Sequence, residues 1–299
     1  MTASARGSTP ARGGAPARGG APGDEFFGES WAGGGSPGTS ALSRIARAYE
    51  HQVLLYLRTW RGSIFNSFLS PTMFLLAMGV GLGTYVDRVG GAATAGVSYL
   101  AWLAPGLLAA TVMQTAAVEG TFPVIAGFVW VRRYFAMHAT PIEPRDVAIA
   151  QLAWSATRIT VVGAIFVLVT LVFGAVRSPL VVLAIPVATL TGLSFGTPIA
   201  AFAATQRTMN AFSHLFRFAI TPLFLFSGTF FPIEQLPPAI QPLAWLSPLY
   251  HGVALCRSLA LGTIGVDPVV EAAHLAVIVA LSAGGLLWAL RTFERRLAT

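Results

Sequence analysis

Apolar residues fill this chain in long runs, separated by short polar breaks that carry arginine. The runs lie at about 64–85, 99–120, 150–176, 179–205, 213–232 and 270–291, and none holds more than two charges. About 20 such residues in a helix cross a hydrocarbon core of roughly 30 Å. The pattern predicts an all-α polytopic membrane protein with six transmembrane helices. Ahead of the first run the period changes. Over residues 42–61, Leu42, Ile45, Tyr49, Val53, Tyr56 and Trp60 recur at helical spacing, while Arg44, Arg47, Glu50, His51, Arg58 and Arg61 fill the other positions. This predicts an N-terminal amphipathic helix lying in the membrane interface, with docking to a soluble partner helix as the alternative.

Residues 1–40 are rich in Gly, Ala, Pro, Ser and Arg, and ARGGAP at 11–16 is repeated at 17–22. The segment lacks the apolar centre of a signal peptide and any period that buries surface, so it reads as a disordered tail. Residues 41–299 read as one transmembrane domain.

Residues 221–257 read TPLFLFSGTFFPIEQLPPAIQPLAWLSPLYHGVALCR. The segment is apolar, yet Pro222, Pro232, Pro237, Pro238, Pro242 and Pro248 forbid one continuous helix, because each removes an amide donor and clashes with the preceding turn. Broken backbone survives at membrane depth only when buried in protein or lining a wet cavity. Arginine placement argues against a seventh crossing here. With six spans and a cytoplasmic N-terminus, Arg44, Arg47, Arg58, Arg61, Arg132, Arg133, Arg145, Arg207, Arg217, Arg291, Arg295 and Arg296 fall inside, and only Arg88, Arg177 and Arg257 outside. A seventh span would export Arg291, Arg295 and Arg296, against the positive-inside rule. Residues 233–259 are therefore predicted to form an extracellular re-entrant helical hairpin before the last span, with both termini cytoplasmic.

Composition narrows the chemistry. The chain is 55% hydrophobic and 10% charged, where soluble domains carry about a quarter charged residues. It has no lysine, which removes the P-loop route to ATP hydrolysis and Schiff-base chemistry. The single cysteine permits no internal disulfide, and the five histidines have no metal-ligand spacing. No nucleophile–base pair or carboxylate pair is legible, so no catalytic residue, no metal, no cofactor on this chain and no nucleic-acid partner is expected. Two ionisable groups sit inside apolar runs, Glu119 and Arg158. A lone charge at mid-bilayer costs about 2.5–3.5 kcal/mol, so the two are expected to pair, either to fix helix packing or to act in gating. The intervening loop at 127–146, GFVWVRRYFAMHATPIEPRD, sets Trp130, Tyr134 and Met137 on one side of a short helix with Arg132 and Arg133 between them. That is the composition of an interface hot spot, and equally of an interfacial helix with snorkelling arginines. Gly79, Gly81, Gly83, Gly192 and Gly196 supply smooth faces for close helix approach.

Four stretches carry a family likeness: PTMFLLAMGVGLG at 71–83, YLAWLAPGLLAATVMQ at 99–114, RRYFAMHATPIEPRDVAIAQ at 132–151 and FSGTFFPIEQLPPAIQPLAWLSPLYHGVALCRSL at 226–259. Over roughly 42–296 the chain resembles the permease subunits of type-2 ABC exporters, in the branch of nodulation-factor (lipooligosaccharide) and daunorubicin-type drug exporters. The resemblance implies a six-span subunit of a bacterial plasma membrane, paired with a second copy or a sister permease. It implies coupling to two copies of a cytosolic ATPase that binds the ATP and magnesium. Trp130, Arg132, Arg133, Tyr134 and Met137 would form the coupling helix that touches this ATPase. Phe231, Pro232, Glu234, Pro237, Trp245 and Tyr250 would gate the outer end of the path. The implied activity is export of an amphipathic substrate: a drug-like metabolite, a lipid or a lipid-linked glycan. An ion-coupled secondary transporter, with Glu119 as its titratable group, is the alternative; a membrane-embedded lipid enzyme would need a constellation this sequence lacks.

Overall fold

The computed structural model describes residues 40–58, 60–88 and 96–298. Residues 1–39 of the expected tail lie outside the described residues. Among the described residues no strand occurs. The helices, in chain order, are α1 (Ala41–Leu57), α2 (Trp60–Arg88), α3 (Tyr99–Trp130), α4 (Arg133–His138), α5 (Pro144–Val172), α6 (Pro179–Thr205), α7 (residues 210–226), α8 (Gln241–Leu246), α9 (Pro248–Leu261) and α10 (Pro268–Leu297). Five of them, α2, α3, α5, α6 and α10, are long and apolar enough to cross a membrane.

Local chemistry sets the boundaries. Ser40 accepts from Ser43 N at 3.3 Å and starts α1. Glu143 and Asp146 form a reciprocal capping box with Pro144 in the first turn, so α5 begins six residues ahead of its apolar run. Ser178 accepts from Leu180 N at 3.2 Å and opens the tight first turn of α6. Asp267 does the same for α10 through Val270 N at 3.3 Å. Three helices widen locally into π turns, at Leu75–Leu82, Ala126–Trp130 and Phe216–Ile220. Each lies within a few residues of a proline (Pro71, Pro123, Pro222), where the missing amide donor loosens the regular ladder.

The span expected at 213–232 differs from its neighbours. Its helix, α7, is 6, 5 and 6 residues in three consecutive pieces, about 26 Å in all at 1.5 Å per residue. It stops at Phe226 because Gly228 turns the chain with φ +78° and Ser227 is pulled inward onto Ser247 at 2.9 Å. Even so, the Phe212 ring meets Phe122 edge-on (6.1 Å) near the far end of α3, while the Phe230 carbonyl accepts from the Tyr99 hydroxyl (3.4 Å) at its start. Phe122 and Tyr99 are about 35 Å apart along the helix. Residues 212–230 thus run most of the length of the bundle, with a turn supplying the last part.

The core is built around α3 and α6. α6 packs on α3, α5, α9 and α10, and α3 also meets α2 and α5. Glycine makes the closest approach possible: a Cβ on Gly120 would stand 2.8 Å from the Gly196 carbonyl oxygen. α1 lies against α5, with Tyr49 and Tyr56 edge-on to Trp154 at 5.9 and 5.4 Å. Its Leu42, Leu54 and Leu57 face outward. Two ends of the bundle are therefore distinct. One gathers α1, α4, the end of α6 and the end of α10, since Arg296 donates to the Ala204 and Gln206 carbonyls and Arg145 pairs with Glu294. The other gathers the α5–α6 turn and the end of α9, where Arg177 N and Ser178 N donate to the Ala260 carbonyl at 3.2 and 3.1 Å.

Candidate functional site

Three places carry polar chemistry inside this apolar bundle. At mid-bundle, α3 and α5 bring Glu119 and Arg158 together: Nε donates to Oε1 at 3.2 Å, with side chains only 11% and 17% exposed. The expected pair is formed. The Arg158 guanidinium also lies over the Tyr56 ring at 4.5 Å, so α1 joins the contact. Because α5 starts at Pro144, Arg158 sits at the middle of its helix.

At the arginine-rich end, the five residues expected to form the coupling helix separate into two groups. Trp130 is the last residue of α3 and is 56% exposed. Arg132 follows in the left-handed region (φ +54°), the one non-glycine residue with positive φ among the described residues, and is exposed. The short helix proper begins at Arg133. Tyr134 is buried, packed on Phe128 (4.7 Å) and Phe293 (5.5 Å), and Met137 is half-buried. Arg133 turns inward, donating through Nη2 to the Pro123 carbonyl (3.1 Å), the Tyr134 hydroxyl (3.2 Å) and Gln151 Oε1 (3.1 Å). Tyr134 also donates to Gln151 Oε1 at 2.8 Å, and Gln52 of α1 donates to the same oxygen at 2.7 Å. Burial pushes the Tyr134 phenol above its ordinary value, although the Arg133 charge pulls the other way, so the hydroxyl stays protonated and donates. One amide oxygen thereby ties α1, α4 and α5 together. Arg44 reinforces the clasp through Asp146 (2.5 Å) and Glu143 (2.8 Å). Two buried donors, Arg133 Nε and Gln151 Nε2, have no hydrogen-bond partner among the described residues.

At the opposite end, a cavity of about 420 Å³ opens between α3, α9 and the proline-rich segment. Pro232, Glu234 and Tyr250 line it; Phe231 packs beside it on Ile233 and Leu236, while Pro237 and Trp245 are exposed and do not line it. Its cationic wall is Arg257, which sequence reasoning treated only as an outer arginine. The guanidinium lies 3.8 Å from the Trp102 ring centre, Nε donates to the Trp102 carbonyl (3.2 Å) and Nη2 to the Gly228 carbonyl (2.9 Å). None of the ion pairs among the described residues involves Arg257. Trp102 and Arg257 are 155 positions apart, and only the proline-broken return of the chain brings them together. Behind the cavity, His251 and His274 approach through Nδ1 to 2.6 Å and are half-buried. These two of the five histidines, 23 positions apart, are brought together by the fold. No group of three metal-ligating side chains occurs among the described residues.

A helical membrane protein with an internal charge pair, an arginine-rich end clasped to a short exposed turn, and a proline-broken segment over a cavity at the other end is a transport-type architecture. Residues 48–261 match the family model described as ABC-2 type transporter, and the chain belongs to that family. Among its relatives is Nodulation protein J of Rhizobium leguminosarum bv. trifolii, 32% identical over 231 residues, which cover 77% of this chain and 86% of the relative. Nodulation protein J of Rhizobium leguminosarum bv. viciae is 30% identical over 214 residues (72% and 81%), and that of Neorhizobium galegae 29% over 223 residues (75% and 83%). The chain is thus similar to these relatives over most of their length, and it is a membrane component of an ABC transport system.

Proposed function

We propose that the chain is the permease subunit of an ATP-driven exporter, moving an amphipathic substrate (a drug-like metabolite, a lipid or a lipid-linked glycan) across a bacterial plasma membrane. The match to the ABC-2 type transporter family over 48–261 carries this reading. The chain has no lysine for a P-loop, so ATP and magnesium belong on a separate cytosolic ATPase, present in two copies, with a second permease copy or a sister permease completing the path. The six-span topology, with both termini cytoplasmic and residues 233–259 re-entrant at the outer side, is supported by the passage of residues 212–230 along α3.

Mechanistically, Trp130 and Arg132 present the contact to the ATPase, and Arg133 and Tyr134 hold α4 to the bundle. Movement of α4 would pass through the Gln151 oxygen to α1 and α5, and from there to the Glu119–Arg158 pair. Phe231, Pro232, Glu234 and Tyr250 form the outer gate over the Arg257 cavity, with Pro237 and Trp245 on its exposed rim. The engagement of Glu119 by Arg158 works against an ion-coupled mechanism, which needs a titratable group available near the midplane. Purification from native membranes in mild detergent tests the reading. The expected result is a soluble partner bearing a Walker A loop, about one copy per permease, lost from Arg132→Glu. A folded preparation that never carries such an ATPase overturns it.

A further inference from the structure

One face of α9 lines the cavity beside the proline-rich segment. Tyr250, Val253, Arg257 and Leu261 recur at three- and four-residue spacing, so the helix turns a single stripe toward it. Along that stripe Arg257 is locked. Its Nε donates to the Trp102 carbonyl, its Nη2 donates to the Gly228 carbonyl, and the guanidinium lies 3.8 Å from the indole centre. Nη1 makes no hydrogen bond among the described residues, although the side chain lines the cavity. Two helical turns away, about 10 Å, Tyr250 packs on the cluster that contains Ile233. Glu234, the residue after Ile233, is exposed and lines the same cavity. Glu234 and Arg257 thus share a space of about 420 Å³, yet no ion pair joins them.

The locking decides what the cavity accepts. Arg257 reaches Glu234 only by giving up two carbonyls and the indole, so both charges stay open to a ligand. A plain anion would gain Arg257 and face Glu234; a plain cation would meet the reverse. A molecule carrying both signs satisfies each of them. Trp102, Ile233 and Val253 add apolar wall, which suits a small polar head on a longer apolar body. We propose that this cavity binds a zwitterionic head group, its anionic oxygens on Arg257 Nη1 and its primary ammonium on the Glu234 carboxylate. The binding site stands on this geometry; its use as a station for cargo at the outer end of the path rests on the exporter reading above.

The test uses the full chain in detergent, stripped of lipid and titrated separately with phosphatidylethanolamine, phosphatidylglycerol and free phosphoethanolamine, following thermal unfolding. Phosphatidylethanolamine is expected to bind about 10-fold more tightly than phosphatidylglycerol, the low end for one charged hydrogen bond. Glu234→Gln, at an exposed position, is expected to fold normally and to erase that preference. The ammonium then loses its acceptor, and the glycerol head loses its repulsion. Glu50→Gln, the same change on the exposed face of α1, is expected to leave the preference intact. Saturation by free phosphoethanolamine assigns the site to the head alone, and a response to the lipid only assigns it to a head with its chains; either sustains the proposal. Equal binding of the two lipids, tighter phosphatidylglycerol, or an unaltered preference in Glu234→Gln overturns it. ATPase co-purification is followed in the same preparations. A chain that carries the ATPase and shows no zwitterion preference loses this site and keeps the exporter reading; the converse result keeps the site and loses that reading.

Discussion

Arg158 and Arg257 both lie inside this bundle and are satisfied in opposite ways. Arg158 meets a carboxylate, Glu119, held by another long helix, and both partners come from regular α-helix. Arg257 meets two backbone carbonyls and an indole, and one of those carbonyls belongs to Gly228, in a turn with positive φ. The first is a fixed counter-charge between rigid rods. The second depends in part on an irregular turn keeping its shape, beside an open cavity. A charge pair fixes two helices to each other; carbonyl ligation ties a guanidinium to the shape of a turn.

The comparison can be broken from either side. Removing one partner of the mid-bundle pair, by Glu119→Gln or Arg158→Leu, is expected to cost the most, about 3–5 kcal/mol, because it strands a buried charge or polar group. Replacing both with apolar residues should recover much of that loss in thermal unfolding, and failure to recover would show the pair to be more than a packing contact. Arg257→Ala should cost about 1.5–3 kcal/mol through its charged hydrogen bonds, while transport falls further than stability does. Equal losses in the two assays would make Arg257 merely structural. Gly106→Ala attacks the same contact from α3: the added Cβ would stand 2.9 Å from the Thr229 carbonyl and 3.1 Å from Arg257 Nη2. A cost of about 1–3 kcal/mol is expected, with a transport defect like that of Arg257→Ala. The smallest effect on folding belongs to Trp130→Ala, an exposed position expected to stay within about 0.5 kcal/mol while ATPase co-purification drops.

Much of the first region was legible in sequence and little of the second. Glu119 and Arg158 stood out because each is a lone charge in an apolar run, and lone charges in hydrocarbon find each other. The apolar run at 179–205 coincides with α6, because Ser178 and the polar Gln206 bound it sharply. Gly228, by contrast, looks like any glycine in a membrane helix, and nothing in its neighbours announces that α7 ends just before it. Arg132 and Arg133 are identical side by side, and only the left-handed turn at Arg132 decides which faces out. The approach of His251 to His274, like that of Arg257 to Trp102, depends on how a proline-interrupted segment folds back, which no local period encodes.

The clasp between α1 and α5 has a consequence for how the chain is made. Arg44 and Gln52 wait for Asp146 and Gln151, partners 102 and 99 residues later. At about 5–20 residues per second of synthesis, the amphipathic helix waits roughly 5–20 s before its docking surface exists. The first helix of the domain to be synthesised therefore reaches these contacts only once the start of the third long apolar helix has been delivered.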